Sequence, residues 1–410
     1  MTPEVQGVTL ETPDVLGVML RVNLALFSEH CSGEPALIEL DDISKVYKTP
    51  AGDFPALKNI NACFYPGEFV SIIGKSGSGK STLLNMITGI DHPSAGQVRI
   101  GDSVLLKMNE GQLSVWRGRN LGIVFQFFQL LPMLSLLENT MLPMDFCNMY
   151  SQAERLTRAK ELLRSVGLED FIYKLPGAVS GGQQQCAAIA RAMANDPPIL
   201  IADEPTGNLD TQTAEMVLQI FDRLVEQGKT ILVVTHEDSV AQRAGRTLVL
   251  SDGELVHPSV VRGLPHLLHR SMLALTRRLK PLRREAGAPL FPDGSQQIAL
   301  GLVTVGKVEI HPAPTRVGES TAVPVASPGS SSAPLAEAVL EPGTCFSSFD
   351  FQAGNLIPEE MWSTDTGLEL AVLDQAGLES WLAEAHDGQA VLKQLARQRA
   401  ALAQTAGGKL

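Results

Sequence analysis

The chain has 410 residues, enough for two or three domains at roughly 150 residues each. Its formal net charge of -12 speaks against a protein held mainly to nucleic-acid phosphates. Five cysteines (Cys31, Cys63, Cys147, Cys186, Cys345) are scattered and never form a C-x-x-C pair, which indicates neither a disulfide framework nor a structural metal and suits a reducing cytosol.

Residues 1–35 carry no motif, and the N-terminus lacks the basic start of a secretory signal. The apolar/polar alternation of residues 37–47 reads as a strand, and residues 60–64 read as a second, ended by the turn former Tyr65-Pro-Gly67. The apolar run 69–73 is a third strand. It delivers the chain into Gly74, Lys75, Ser76, Gly77, Ser78, Gly79, Lys80, Ser81 and Thr82, after which residues 83–88 read as a helix. That strand, glycine-rich turn and helix is the context the P-loop pattern G-x-x-x-x-G-K-[ST] needs. Glycines let successive N–H groups turn inward onto phosphate oxygens, and the helix adds the positive end of its dipole. Lys80 is placed to reach the β- and γ-phosphates and the Ser81 hydroxyl to ligate magnesium, so the chain is expected to bind a nucleoside triphosphate.

Residues 121–137 carry no formal charge, but Gln126, Gln129 and Pro132 interrupt a run already short for a membrane span. If the protein works at a membrane, another chain must supply the spanning helices. Further on, residues 152–166 have helical periodicity. Val179-Ser-Gly-Gly-Gln-Gln-Gln then opens a helix with a bare N-terminus. Residues 198–204 are an apolar run ending in Asp203 and Glu204, as a strand buried in a parallel sheet does. A helix over 213–227, a strand over 230–235, and the pair 247–250 and 254–256 around Asp252-Gly253 complete the β/α alternation of a doubly wound domain.

The P-loop, Ser180-Gly-Gly-Gln183, and Ile199-Leu-Ile-Ala-Asp-Glu-Pro-Thr-Gly-Asn-Leu-Asp210 stand in the order of the P-loop, signature motif, Walker B and D-loop of ATP-binding-cassette (ABC) ATPases, which residues 36–257 resemble. The resemblance implies an α/β P-loop NTPase with a RecA-like core, an antiparallel β subdomain and a helical subdomain. It implies ATP and Mg2+ as cofactors, with Ser81, Gln126 and Asp203 as magnesium ligands. Glu204 is then the general base and His236 the switch histidine on the γ-phosphate, with Lys80 completing the catalytic set. Gln126 is the Q-loop glutamine, and Tyr47 the aromatic that stacks on adenine. Ser180, Gly181, Gly182 and Gln183 act in trans, with Asp210 in the D-loop, so a symmetric ATP-sandwich dimer is expected. Where the family usually has arginine after S-G-G-Q-Q-Q, this chain has Cys186. That change either weakens ATP-driven closure or places an inert small group in a core. Sequence around Gln126 and residues 205–210 is most similar to the lipoprotein-release, macrolide-export and cell-division subfamily, whose members pair with a separate permease.

After residue 257 the composition changes. Between Arg262 and Glu285 there are seven Lys/Arg against one Asp/Glu, with Leu264, Leu267, Leu268, Met272, Leu275 and Leu279 at helical spacing. Residues 258–290 are therefore expected to form a basic amphipathic helical linker, lying on an anionic membrane or packed on its own domain. Residues 291–410 read as a smaller α+β domain: strands about a turn in 297–310, a flexible Pro/Ser/Ala-rich loop over 312–335, a strand over 368–373, and helices over 375–385 and 389–403. This part faintly resembles a cyclic-nucleotide-binding β-roll without its phosphate-clamping arginine, and is expected to be a degenerate regulatory or docking domain. The sequence thus predicts the ATP-hydrolysing subunit of an export-type ABC transporter, cytoplasmic and peripheral on the inner membrane face. It is expected to dock on a transmembrane permease, with no nucleic-acid partner. The alternatives are a soluble non-transport ABC ATPase and a regulatory ATP switch.

Overall fold

The computed structural model describes residues 35–290, 298–311, 338–350, 355–356, 360–363 and 367–397. The expected N-terminal extension and the loop over 312–335 lie outside them, apart from residue 35.

Two sheets frame residues 35–257. An antiparallel sheet has the order β2-β1-β4-β5, from β1 (Ile38–Thr49), β2 (Gly52–Phe64), β4 (Ala95–Ile100) and β5 (Ser103–Val104). The second has the order β10-β9-β3-β8-β7-β6, from β3 (Phe69–Ile73), β6 (Leu121–Val124), β7 (Ile199–Asp203), β8 (Thr230–Thr235), β9 (Arg246–Ser251) and β10 (Glu254–Leu255). All neighbours there are parallel except β9 and β10.

Period-two alternation explains why these strands read as unbroken apolar runs. Phe69, Leu200, Ala202, Ile231 and Val233 face the core shared with the helices, whereas Val70, Ile72, Ile199, Ile201, Leu232 and Val234 face the core shared with the antiparallel sheet. Each of these larger aliphatic side chains contributes about 1.5–3 kcal/mol by leaving water. The order of winding switches beside β3: the chain crosses from it to β6 at the far edge and returns through β7 and β8, all parallel, before passing to β9 on the other side of β3. The carboxyl ends of β3, β6, β7 and β8 therefore open on one crevice, the place where doubly wound sheets bind ligands.

The helices are α1 (Lys80–Thr88), α2 (Glu110–Asn120), α3 (Leu136–Phe146), α4 (Gln152–Ser165), α5 (Gly181–Ala192), α6 (Thr211–Glu226) and α7 (Asp238–Arg243). Reciprocal capping boxes start four of them, at Asn109/Gln112, Ser135/Glu138, Ser151/Glu154 and Ser180/Gln183. The uncharged stretch 121–137 is β6, a loop and the first turn of α3. Among the described residues, no helix is long and apolar enough to cross a membrane.

The region beyond residue 257 departs from one amphipathic helix. It forms α8 (Pro258–Gly263), α9 (His269–Thr276) and a strand, Lys280–Arg284, which enters an antiparallel sheet with Leu368–Leu373, Leu300–Val305 and Cys345–Phe346. Pro265 stands between the two helices, and the residue before a proline disfavours helix. Leu264, Leu267, Met272, Leu275 and Leu279 are buried as their spacing requires, while Leu268 is exposed. Four of the seven basic side chains pair with the chain's own acids: Arg277 with Glu254, Arg278 with Glu384, Lys280 with Asp374 and Arg283 with Glu369. Of the two settings for this stretch, the structure shows packing on its own domain. Pairing beyond it is nested, with 300–305 on 368–373, 308–311 on 360–363, and 349–350 on 355–356. A helix over Gln375–Glu384 and a helical stretch 389–397 close the described chain.

Candidate active site

The turn from β3 into α1 is built for close approach. Gly77 and Gly79 take φ of 78° and 104°, where side chains are strained. A Cβ at Gly79 would also stand 2.6 Å from the Ala56 carbonyl oxygen. The Lys80 ammonium is held inside the loop by the carbonyls of Gly74 (2.8 Å) and Lys75 (3.2 Å). Ser81 lies in the first turn of α1 and donates its hydroxyl to Asp203 Oδ2 at 3.0 Å.

Asp203 and Glu204 follow at the end of β7. Burial pushes the Asp203 carboxyl above its ordinary value; the Ser81 hydrogen bond opposes this, the Glu204 charge adds to it, and Lys80 opposes it. Glu204 takes a left-handed φ of 48°, fixed by its N–H donating to Val234 O at 2.8 Å. His236, just past β8, brings Nδ1 within 2.7 Å of Glu204 Oε2, an ion-pair distance at which the oxygen still meets no donor in hydrogen-bond alignment.

Together these enclose a cleft of ≈ 570 Å³ lined by Ser76, Gly77, Gly79, Lys80, Ser81, Thr82, Gln126, Asp203, Glu204 and His236, with Phe54 and Ala56 from β2. Ten of the twelve are thus residues singled out from sequence. Phe54 and Ala56 are not, because only the register of β2 on its neighbours brings them to the loop. Tyr47 is outside this lining: its hydroxyl donates to Asp91 Oδ2 at 3.0 Å and Lys45 lies over its ring. Phe54 is its register partner across β1 and β2, so the two aromatics share one face. Gly74, Lys75 and Ser78 belong to the loop without lining the cleft; Ser78 is buried beneath it.

The remaining expected residues lie apart from the cleft of their own chain. Ser180 caps α5, its hydroxyl accepting from Gln183 N while Gln183 Oε1 accepts from Ser180 N. Gly182 is required by packing, since a Cβ there would run into Thr213 Cγ2. Thr213 is bound to Asp210, which caps α6 by accepting from Gln212 N, Thr213 N and the Thr213 hydroxyl, contacts led by Thr213 that hold its carboxyl below the ordinary range. Cys186 is 3% exposed in the main core, and burial pushes its thiol up to about 11, so it is a neutral buried group at physiological pH.

After Gln126 the chain takes two consecutive left-handed residues, Phe128 (φ 42°) and Gln129 (φ 53°). Arg191 of α5 donates to both of their carbonyls, at 2.7 and 2.5 Å, and the Phe128 ring lies 3.7 Å from where a Cβ on Gly181 would stand. This clamp joins the Q-loop to the signature helix, and neither motif announces Arg191 in the sequence.

The doubly wound sheet, the phosphate-binding loop and the acid pair define a P-loop nucleotide hydrolase. A match to the ABC transporter family spans residues 57–207. The chain is 46% identical over 220 residues to the ABC transporter ATP-binding protein YvrO of Bacillus subtilis, covering 54% of this chain and 96% of that protein. It is 45% identical over 219 residues to the macrolide export ATP-binding/permease protein MacB of Syntrophobacter fumaroxidans, covering 53% of this chain and 31% of that protein. Among solved structures, the post-hydrolysis dimer of the ATP-binding cassette MJ0796 bound to ADP and Pi is similar at 44% identity and a TM-score of 0.51, over 53% of this chain and 96% of that one. The chain belongs to the ABC transporter ATP-binding proteins and is an ATPase of that type.

Proposed function

We propose that this chain is the ATP-hydrolysing subunit of an export-type ABC transporter, working as an ATP-sandwich dimer on a separate membrane permease. The observation that carries the reading is the separation of two half-sites: the P-loop, Gln126, Asp203, Glu204 and His236 meet in one cleft, while Ser180 to Gln183 lie outside its lining. A second copy completes the site by bringing its signature helix N-terminus to the γ-phosphate. In that complex the loop N–H groups and Lys80 bind the phosphates, Glu204 orients the attacking water and accepts its proton, and His236 holds the γ-phosphate. The Tyr47 and Phe54 face receives the base. Ser81, Asp203 and Gln126 offer the hard oxygen donors that Mg2+ takes, and bound there it would neutralise charge on the β- and γ-phosphates.

An exposed apolar surface supports the permease. Phe127, Met133 and Phe146 are 71%, 89% and 80% exposed on and after the segment that carries Gln126, as a docking face for a partner's apolar helix is. The nested pairing after residue 298 supports a β-roll-like C-terminal domain serving as a regulatory or docking module.

The test is to tag the Glu204→Gln chain and identify by mass spectrometry what co-purifies from detergent-solubilised membranes and from the soluble fraction. A stoichiometric multi-helix permease is the expected result. Recovery only with soluble proteins or nucleic acid would favour the non-transport ATPase.

A further inference from the structure

We infer that the C-terminal extension tunes how tightly the P-loop holds ATP, with Arg277 as a positioning residue acting through Glu254 and the turn before it; this rests on the reading that Gly74 to Thr82 binds the nucleotide. The turn over residues 251–254 is wedged under the P-loop. Asp252 and Gly253 are both left-handed, at φ 49° and 81°. The Gly253 N–H donates to Ser78 O at 3.0 Å, and its carbonyl accepts from Lys58 N at 2.8 Å. A Cβ on Gly253 would stand 2.7 Å from Ala56 O, so the turn presses on the stretch of β2 that lines the cleft.

Glu254 ends this turn, and a residue from beyond the cassette holds it. Arg277, the C-cap of α9, donates from Nη2 at 2.6 Å and Nε at 3.1 Å, a two-pronged grip that fixes direction as well as distance. Lys58 Nζ adds an ion pair at 3.6 Å. Alongside, Ile73, the residue preceding Gly74, packs against the core made by Val256, Val260, Leu264 and Leu275. A displacement of α9 is thus transmitted through Glu254 and Gly253 to the Ser78 carbonyl, inside the loop whose N–H groups face the phosphates.

None of these groups touches the attacking water, so the effect falls on ATP binding and leaves turnover of the bound complex alone. The experiment uses the full chain and the variants Arg277→Glu and Arg277→Lys, measuring mant-ATP affinity, KM and kcat for ATP hydrolysis, and melting temperature. Arg277→Glu is expected to raise Kd and KM about twofold to fivefold, the scale of a half-exposed ion pair, with kcat retained. Arg277→Lys is expected to recover most of that loss, and added salt to shrink the difference between variants. Glu254→Gln, isosteric and uncharged, is expected to repeat the KM effect and serves where Arg277→Glu does not fold. Unchanged Kd and KM in the folded variants would overturn the inference, as would a fall in kcat that tracks melting temperature. A wild-type chain that binds no mant-ATP would instead overturn the assignment of the loop itself.

Discussion

Glu204 is the catalytic candidate whose backbone carries strain. A left-handed φ in a side chain of this size is a state that surrounding structure must hold, and the Val234 carbonyl does so. Glu204→Gln keeps size and hydrogen-bonding shape but cannot take a proton. It is expected to lower kcat by about 10²- to 10⁴-fold while ATP binding and the ATP-dependent dimer persist, read by single-turnover hydrolysis and size exclusion. An unchanged kcat would remove Glu204 from the base role. Asp203 is expected to set the acid limb. Its raised pKa means that the folded state releases this proton at higher pH than the unfolded one, so Asp203 costs stability as pH rises through the window from the ordinary value to the folded one. Its carboxylate form, which the Mg2+ role needs, is lost as pH falls through that same window. Mg2+-dependent hydrolysis should therefore decline on acidification with a midpoint above the ordinary aspartate value, and a midpoint at or below it would contradict the burial argument.

At the scale of elements, Arg191 ties the Q-loop to α5. Its guanidinium is held by two carbonyls of left-handed residues, which would lose their charged donor on truncation. Arg191→Ala is expected to cost about 1–3 kcal/mol in denaturant unfolding, the penalty for acceptors left unpaired. It should also lower ATPase activity by freeing Gln126 from its setting, whereas unaltered stability and activity would show the clamp to be incidental. Gly182→Ala tests the other end of α5: its added methyl meets Thr213, so a loss of stability and of ATP-driven dimerisation is expected, with mant-ATP binding by the monomer retained. What the sequence made legible follows the range of the interactions. The P-loop, the capping Ser180 with Gln183, and Asp203-Glu204 after a buried strand are each encoded within a few residues. Arg191, Phe54 and Ala56 depend on long-range register, and α8 and α9 were hidden because their apolar spacing continues past Pro265. Cys186 could be read either as a lost charge or as a core residue, and only its surroundings show it buried.

At the scale of the molecule, the cassette and the C-terminal region share a core instead of being strung on a linker. Val249 of β9 and Ile73 of β3 pack in one cluster with Val260, Leu275, Leu302, Leu373 and Trp381. Trp381 is fully buried, and its indole N–H donates to the Ser271 carbonyl of α9 at 3.0 Å. The Asp387 carboxylate accepts from Leu268 N and from the Ser271 hydroxyl, capping α9 from across the domain. In the basic stretch, which composition alone leaves open to a membrane or to its own domain, three charges are matched by acids distant in sequence. Glu384 lies 106 residues from Arg278 and Asp374 lies 94 residues from Lys280, while Arg283 pairs with Glu369 on the neighbouring strand. A core shared in this way couples the two parts thermodynamically. Trp381→Ala removes the largest fully buried side chain among the described residues and is expected to cost about 3–5 kcal/mol. If the core is shared, calorimetry of the variant should show one unfolding transition moved to lower temperature, with ATPase inactivation moving alongside it. Two transitions, with the ATPase surviving at its wild-type temperature, would show instead that the C-terminal region unfolds by itself and that its contact with β3 and β9 carries little of the cassette's stability.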